Sequence, residues 1–284
     1  MEGFIDTLNG VIWSNALVYL CLGAGAYFTL VTLFLQIRCL PDMIRQLKSG
    51  ESSEQGISSF QSLMISLAGR VGVGNIAGVA TAIAFGGPGA VFWMWLVALL
   101  GSATSFIECC LAQIYKETDR DTGEYRGGPA YYIEKAYKHT AAAPFMLVYA
   151  IIFAVCMLLA TSYFLPGIQA NGVAAAVDNA WGINVWISAA IMTVMLAFII
   201  IGGVKRIANF ASMVVPFMAG LYIIIAIVVL FANASQIPEV FGTIVRSAFD
   251  KEAAFSGMLG AAIMWGVKRG IYSNEAGQGT GPQS

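Results

Sequence analysis

Long apolar runs recur along this sequence, and they limit the folds that the chain can adopt. Runs near or above the ~18 residues that cross a bilayer occur at 15–37, 60–84, 89–115, 144–165, 184–202, 210–232 and 254–277. Only 11% of the 284 residues are charged, against about 25% in a soluble domain. The alternating apolar and polar segments of a membrane barrel are absent. The sequence therefore predicts an all-α membrane protein with about seven transmembrane helices.

The Lys and Arg residues in the loops between the apolar runs predict which side of the membrane each loop faces. If the N-terminus faces outside, the cytoplasmic loops 38–59, 116–143 and 203–209 hold three, five and two Lys/Arg, ten of the chain's fifteen. Lysine and arginine in short loops are retained in the cytoplasm. We therefore expect a multi-pass protein of the cell membrane, with residues 1–14 as an outer N-terminal segment. The formal net charge of −1 argues against nucleic acid as a partner.

The second run is interrupted by GRVGVGNIAG, residues 69–78. Arg70 and Asn75 each cost a few kcal/mol at mid-membrane unless they are partnered or hydrated. Gly74 and Gly78 have the small-xxx-small spacing of closely packed helices, but packing does not account for the two polar residues. The pattern favours a discontinuous helix, two half-helices whose free N–H and C=O groups line a cavity.

A second copy of this pattern follows near the end of the sequence. The form R-x4-N-x-A-G occurs as RVGVGNIAG from Arg70 and as RGIYSNEAG from Arg269. By the loop charges, the two copies cross the membrane in opposite directions. Oppositely directed interrupted helices are typical of inverted-repeat secondary transporters, whose sites lie at the bilayer midplane. We expect a single transmembrane domain over 1–284, with the first helix at 15–37, the first inverted repeat at 60–232 and an incomplete second repeat starting at 254–284.

The first interruption predicts a site for an anion and a cation. The N–H groups at the start of the outer half-helix, near Val73, Gly74 and Asn75, present a positive dipole end to a substrate carboxylate. The carbonyl groups at the end of the inner half-helix suit a small cation. The glycines let a ligand approach the backbone, and the Asn75 amide can both donate and accept hydrogen bonds.

Five segments carry a family resemblance, in the order GRVGVGNIAGVATAI, GGPGAVFWMW, RGGPAYYIEKA, Gln169-Ala170-Asn171 and RGIYSNEAGQGTGP. By these segments, which span essentially the whole chain, the sequence resembles the alanine or glycine:sodium symporter family, within the leucine-transporter-type 5+5 inverted-repeat folds. The resemblance implies symport of a small neutral amino acid, such as alanine or glycine, with sodium or in some members a proton. It implies no cofactor besides the coupling ion.

The resemblance also implies a set of substrate-binding residues, namely Gly72, Val73, Gly74, Asn75, Gln169 and Asn274. The backbone of Val73 and Gly74 and the side chain of Asn75 would hold the carboxylate. Asn274 would face the ammonium or the carboxylate from the other side, and Gln169 would reach the site from the long fourth span. Alanine, glycine and serine all remain open as substrates.

For sodium, the resemblance implies the backbone carbonyls of Ala68 and Val71 as ligands. Members of the family are longer than this sequence, which holds one repeat and the start of the other. The remaining sodium ligands and much of the pocket would come from helices that the sequence does not contain. The chain is therefore expected to be a fragment or a truncated product that is inactive by itself.

Other classes of membrane protein fit less well. An enzyme would need a convergent nucleophile, base or metal set, which one loop histidine, His139, and unclustered cysteines do not provide. An ion channel would need a continuous wet pore, usually formed by a symmetric oligomer. A non-transporting membrane subunit would leave the repeated pattern unexplained. We therefore predict a symporter in the lipid bilayer, with a channel or a non-transporting subunit as the alternative.

Overall fold

The structure is a computed structural model that describes residues 2–49, 56–121, 123, 125–249 and 258–283. Helices dominate these residues, and one short antiparallel hairpin joins two of them. The helices are α1 Glu2–Ile12, α2 Asn15–Val31, α3 Leu35–Arg38, α4 Leu40–Ser49, α5 Ser59–Arg70, α6 Val73–Gly86, α7 Gly89–Tyr115, α8 Pro129–Tyr137, α9 Ala143–Leu159, α10 Leu165–Trp181, α11 Val185–Ile200, α12 Gly203–Ala232, α13 Ile237–Ala248 and α14 Met258–Asn274. The hairpin pairs β1 Glu117–Thr118 with β2 Tyr125–Arg126.

Among the residues that the structure describes, five helical stretches are long and apolar enough to cross a membrane, namely Asn9–Val31, Ser59–Gly86, Gly89–Tyr115, Ala143–Trp181 and Gly203–Ala232. The helix α11 is apolar but shorter. The helix α14 has 17 residues, and the predicted start of the last run at 254 lies outside the described residues. The protein is thus an all-α membrane protein, as predicted, while seven crossings stay a prediction.

The first helix ends earlier than predicted. The helix α2 stops at Val31 rather than at residue 37, because Leu33 and Phe34 both take a left-handed backbone conformation with φ of 55°. Such a pair is costly for side chains with a Cβ. The turn is held by Gln36, whose amide nitrogen donates to the Thr29 hydroxyl at 3.2 Å. The apolar run continues through this turn, so hydropathy alone could not locate the helix end.

The fourth span continues past the apolar run at 144–165, as predicted for the long span that carries Gln169. The helix α9 passes through a π-helical turn at Ala160–Phe164 directly into α10. Pro166 has no N–H to donate to the preceding turn, and its ring crowds the carbonyl four residues earlier. A widened turn before the proline relieves that crowding, so the helix continues to Trp181 instead of ending.

The chain divides into two compact units, each described by itself. Unit 1 comprises Met1–Arg45, Gly74–Glu108 and Gly220–Gly281. Within it, α6 and α14 pack in opposite directions. A Cβ added to Gly74 would lie 2.9 Å from the Tyr272 ring, and one added to Gly86 would lie 2.9 Å from the Trp265 Cβ. Glycine therefore permits this close packing of two helices.

The helix α7 packs in unit 1 against another face of α14, in the same direction. Gly266 lies against the backbone of Ala90, and Gly101 lies against the Asn274 amide at the other end of the contact. Val97 and Val267 belong to one buried apolar cluster between these helices. The helix α14 is thus fixed on two sides, which positions its C-terminal end.

Unit 2 comprises Gln46–Val73, Cys109–Ala219 and Pro282–Ser284. The helix α5 begins with a capping box, in which Ser58 and Gln61 exchange side-chain and backbone hydrogen bonds. The Gln61 amide also donates to the Asn209 side chain on α12 at 2.7 Å. Met64 and Val215 continue this contact in a buried apolar cluster. These contacts hold the first half of α5, the helix that leads to the interruption.

An ion pair between the hairpin of unit 2 and α8 makes a pH-dependent contribution to the stability of the fold. Lys135 Nζ lies 2.8 Å from Glu117 Oε1 and donates to the Tyr115 carbonyl at 2.7 Å. The hydrogen bond and charge of Lys135 hold the pKa of Glu117 below its ordinary value. The pair therefore stabilises the fold above the ordinary carboxyl pKa and loses its effect as the pH falls through the lowered one.

We expect Glu117→Gln to lower the thermal unfolding temperature slightly at neutral pH and to have no effect in acid, where the wild-type carboxylate is protonated. The effect is small because Glu117 is exposed. Thermal unfolding in detergent at neutral and acidic pH checks this, with Glu134→Gln as the control. A difference from wild type that does not change with pH would contradict the assignment.

Candidate substrate and ion site

The second span is interrupted where the sequence predicts it. The helix α5 ends at Arg70, Val71 takes an extended conformation with φ −108° and ψ 103°, and α6 begins at Val73. The Val71 N–H still donates to the Leu67 carbonyl at 2.9 Å. The interruption is therefore only two residues long, and it leaves helix-end carbonyls before it and helix-start N–H groups after it.

Gln169 of α10 contacts this interruption within unit 2. Its Oε1 accepts a hydrogen bond from the Val73 N–H at 3.0 Å. A Cβ added to Gly72 would lie 2.8 Å from Gln169 Oε1 and 2.9 Å from Nε2. One turn along α10, Gly172 accommodates the Val73 side chain. The structure thus brings together three of the predicted residues, Gly72, Val73 and Gln169.

Val73 lies beside an open cavity in unit 2. The cavity has a volume of about 540 Å³, and Tyr163, Phe164 and Asn171 contribute to its lining together with Val73. Tyr163 and Phe164 belong to the π-helical turn before Pro166. The widened turn therefore shapes one wall of this cavity, which the sequence did not predict.

Gly74 and Asn75 occupy the first turn of α6, in unit 1. Gly74 is buried against the Tyr272 ring, and Asn75 is half-buried. Tyr272 is a residue that sequence reasoning missed. The sequence contained two indications of Tyr272. It lies inside the second copy of the repeated pattern, and Gly74 and Gly78 have the spacing of a close helix contact.

The two copies of the pattern have different structures, and this corrects the predicted equivalence. In the first copy the interruption falls between Arg70 and Asn75, whereas α14 is continuous from Arg269 to Asn274. The chain then leaves the helix, with Glu275 at φ 56° and further left-handed turns at two glycines. The residues Ile271, Tyr272 and Ser273 sustain a helix better than the glycine-rich VGVG of the first copy.

Asn274 is the last residue of α14, and its side chain fastens the following turn. Its Nδ2 donates to the Val97 carbonyl at 3.3 Å, and its Oδ1 accepts from the Ala276 N–H at 2.9 Å. Gln278 Nε2 donates to the Ile271 carbonyl at 3.1 Å. The C-terminal end of a helix presents carbonyl oxygens and a negative dipole end. Of the two partners predicted for Asn274, this location favours the ammonium group.

The predicted sodium ligands lie in unit 2 at the end of α5. Ala68 belongs to the last turn of the helix and Val71 follows it, with Ala68 exposed and Val71 half-buried. Carbonyl oxygens are suitable ligands for a hard cation. These two carbonyls alone are fewer than such a cation takes, so further oxygen ligands are required.

Comparison of the sequence with known proteins identifies a family. A sequence model of the sodium:alanine symporter family matches residues 1–284. YrbD of Bacillus subtilis, named as a sodium/proton-dependent alanine carrier, is 53% identical over 282 residues, covering 99% of this chain and 56% of YrbD. GlnT of the same organism, named as a sodium/glutamine symporter, is 45% identical, covering 100% of this chain and 58% of GlnT.

The similarity extends to an archaeal protein. The sodium/alanine symporter AgcS of Methanococcus maripaludis is 42% identical over 281 residues, which cover 98% of this chain and 61% of AgcS. The chain thus spans 56% to 61% of the length of these three relatives. The match of the family model over the whole chain is decisive. The chain belongs to the sodium:alanine symporter family.

Proposed function

We propose that the protein containing this chain is a secondary active symporter that moves a small neutral amino acid, alanine or glycine, into the cell together with sodium. The observation that carries the proposal is the hydrogen bond between the Val73 N–H and Gln169 at the interruption. The names of YrbD and AgcS support alanine as the substrate. A cell-membrane location with the N-terminus outside remains part of the proposal, on the loop charges.

The substrate carboxylate binds at the start of α6. The Val73 N–H already donates to an amide oxygen, so an oxygen acceptor fits at this position. A carboxylate oxygen is a stronger acceptor than an amide oxygen, and the helix dipole favours its charge. When the carboxylate replaces Gln169 Oε1 at Val73, the Gln169 Nε2 can donate to it. Gly74 and Asn75 add a backbone N–H and an amide from the same turn.

The coupling ion binds to the carbonyl groups of Ala68 and Val71. These groups end α5, where the helix dipole is negative, and only Gly72 separates Val71 from Val73 in the chain. Sodium at this end therefore adds positive charge near the carboxylate position. Each ligand then raises the affinity for the other by the same factor, which couples amino-acid binding to the sodium gradient. For Asn274, in unit 1, we retain the predicted role in binding the ammonium group.

Uptake of labelled alanine into proteoliposomes tests this function. The assay compares this chain with a completed chimera, in which the YrbD residues beyond the matched region follow the chain. We expect the completed chimera to accumulate alanine only with an inward sodium gradient. Equilibration of alanine across the membrane without any cation gradient would indicate a channel, and no uptake by a folded chimera would indicate a non-transporting protein.

In the completed chimera, Gln169→Ala and Asn75→Ala are each expected to raise the KM for alanine about tenfold or more. Each removes a hydrogen bond to a charged group, which contributes about 1.5–3 kcal/mol. Gln113→Ala, an exposed glutamine at the end of α7, serves as the control. Unchanged kinetics for both variants would show that these two residues do not bind the substrate.

A further inference from the structure

Two polar side chains of α14 lie on the glycine face of α6 within unit 1. The Tyr272 ring carbons Cδ1 and Cε1 lie 2.9 Å from the position that a Gly74 Cβ would take. Arg269 Cδ lies 3.9 Å from the corresponding position at Gly78. Residues three apart on a helix are neighbours on its surface. Tyr272 and Arg269 therefore share one face of α14 and run along the same side of α6.

Both side chains have a buried polar atom that is left unsatisfied within the described part of the chain. The Tyr272 hydroxyl and the Arg269 Nε are buried and have no hydrogen-bond partner among the described residues. Buried polar atoms are nearly always paired, so each such exception calls for an explanation. Two exceptions on one helix face, three residues apart, indicate a shared cause.

The position of Arg269 is fixed by aromatic contacts. Its guanidinium lies 5.5 Å from the centre of the Trp265 ring, and Trp265 is itself stacked on Phe85 at 4.9 Å. This cation–π contact holds the charge without supplying an acceptor for Nε. The carboxylate of Glu275, which follows α14 in the chain, accepts a hydrogen bond from the Thr280 hydroxyl at 2.6 Å. Among the described ion pairs, none involves Arg269.

The chemistry of the two groups defines the ligand. A guanidinium can only donate hydrogen bonds, and it carries a positive charge at any relevant pH. A phenol hydroxyl can donate a second hydrogen bond to the same acceptor. We propose that Tyr272 and Arg269 bind a small monovalent anion, either a halide or the carboxylate of the transported amino acid. The carboxylate case rests on the proposed function: the carboxylate at the start of α6 lies beside Gly74, where Tyr272 and Arg269 would add donors to it. The halide case does not rest on that function.

Tyr272→Phe tests this proposal, because phenylalanine keeps the ring against Gly74 and removes only the hydroxyl. The completed chimera is purified in detergent, and its unfolding temperature is titrated with chloride, using methanesulfonate as the reference anion, and separately with L-alanine. We expect one of these ligands to raise the unfolding temperature of the parent chimera. In Tyr272→Phe the apparent Kd of that ligand rises at least tenfold, while the ligand-free unfolding temperature is equal or higher.

The unfolding temperature separates this role from a structural one, since a hydroxyl that supports the fold would lower it when removed. Tyr222→Phe, an exposed tyrosine on α12, serves as the control and should bind like the parent. Stabilisation by chloride identifies a halide. Stabilisation by L-alanine but not by L-alaninamide, which lacks the carboxylate, identifies the substrate.

Two results would overturn the inference. One is equal ligand affinity in Tyr272→Phe and the parent, and the other is a parent that neither ligand stabilises. The failure of this inference is distinguishable from the failure of the proposed function. If Gln169→Ala impairs sodium-dependent uptake while Tyr272→Phe binds ligands like the parent, only the anion site is wrong.

Discussion

Gly266→Ala is expected to force α14 away from α7 and to destabilise the protein. A Cβ at position 266 would lie 2.5 Å from the Ala90 carbonyl oxygen and 2.6 Å from the Trp93 Cβ. Neither atom is the end of a flexible side chain, so a helix backbone must move. Overpacking of this kind typically costs about 1–3 kcal/mol. The yield of monodisperse protein and its unfolding temperature in detergent measure the effect.

The matched control for this substitution is Gly260→Ala, on the same helix. Gly260 is exposed, and a Cβ there would meet nothing within 4 Å. Alanine is a better helix former than glycine by about 1 kcal/mol, so this variant should unfold at an equal or higher temperature. Equal unfolding temperatures for the two variants would show that the contact between Gly266 and α7 does not exist.

Gly72→Ala is expected to weaken alanine binding at least tenfold while the protein remains folded. The backbone of Gly72 is not left-handed, so alanine can adopt its conformation. The added Cβ would lie 2.8 Å from Gln169 Oε1, and the flexible Gln169 side chain would move away from the Val73 N–H. The helix start then loses an acceptor, and the Gln169 amide leaves the proposed carboxylate position. The KM for alanine in the completed chimera measures this.

A double variant shows whether the effect passes through Gln169. If it does, Gly72→Ala combined with Gln169→Ala should be no worse than Gln169→Ala alone, because coupled residues are non-additive. Gly23→Ala on α2, where a Cβ would meet nothing within 4 Å, is the control for the substitution itself. Additive losses in the double variant would contradict the proposed displacement of Gln169.

The interruption at residues 71 and 72 could be predicted because its cause is local. The glycine-rich stretch around Arg70 and Asn75 weakens a helix wherever it stands, and polar residues at membrane depth need partners or water. The same local reasoning was wrong for the first helix, where Gln36 reaches back to Thr29. It was also wrong for the second copy of the pattern. The residues between Arg269 and Asn274 are not shared by the two copies, and in the second copy they form a continuous helix.

By itself, the sequence determined the class of the protein and its family. The length and hydropathy of the apolar runs require helices in lipid, and the motifs identify the symporter family over residues 1–284. Only the tertiary structure decided which atoms meet at the candidate site. The contact of Gln169 with Val73 joins residues 96 positions apart, and the Tyr272 ring reaches Gly74 from a different helix. Such contacts depend on how helices pack, and packing follows from the shapes of both surfaces together.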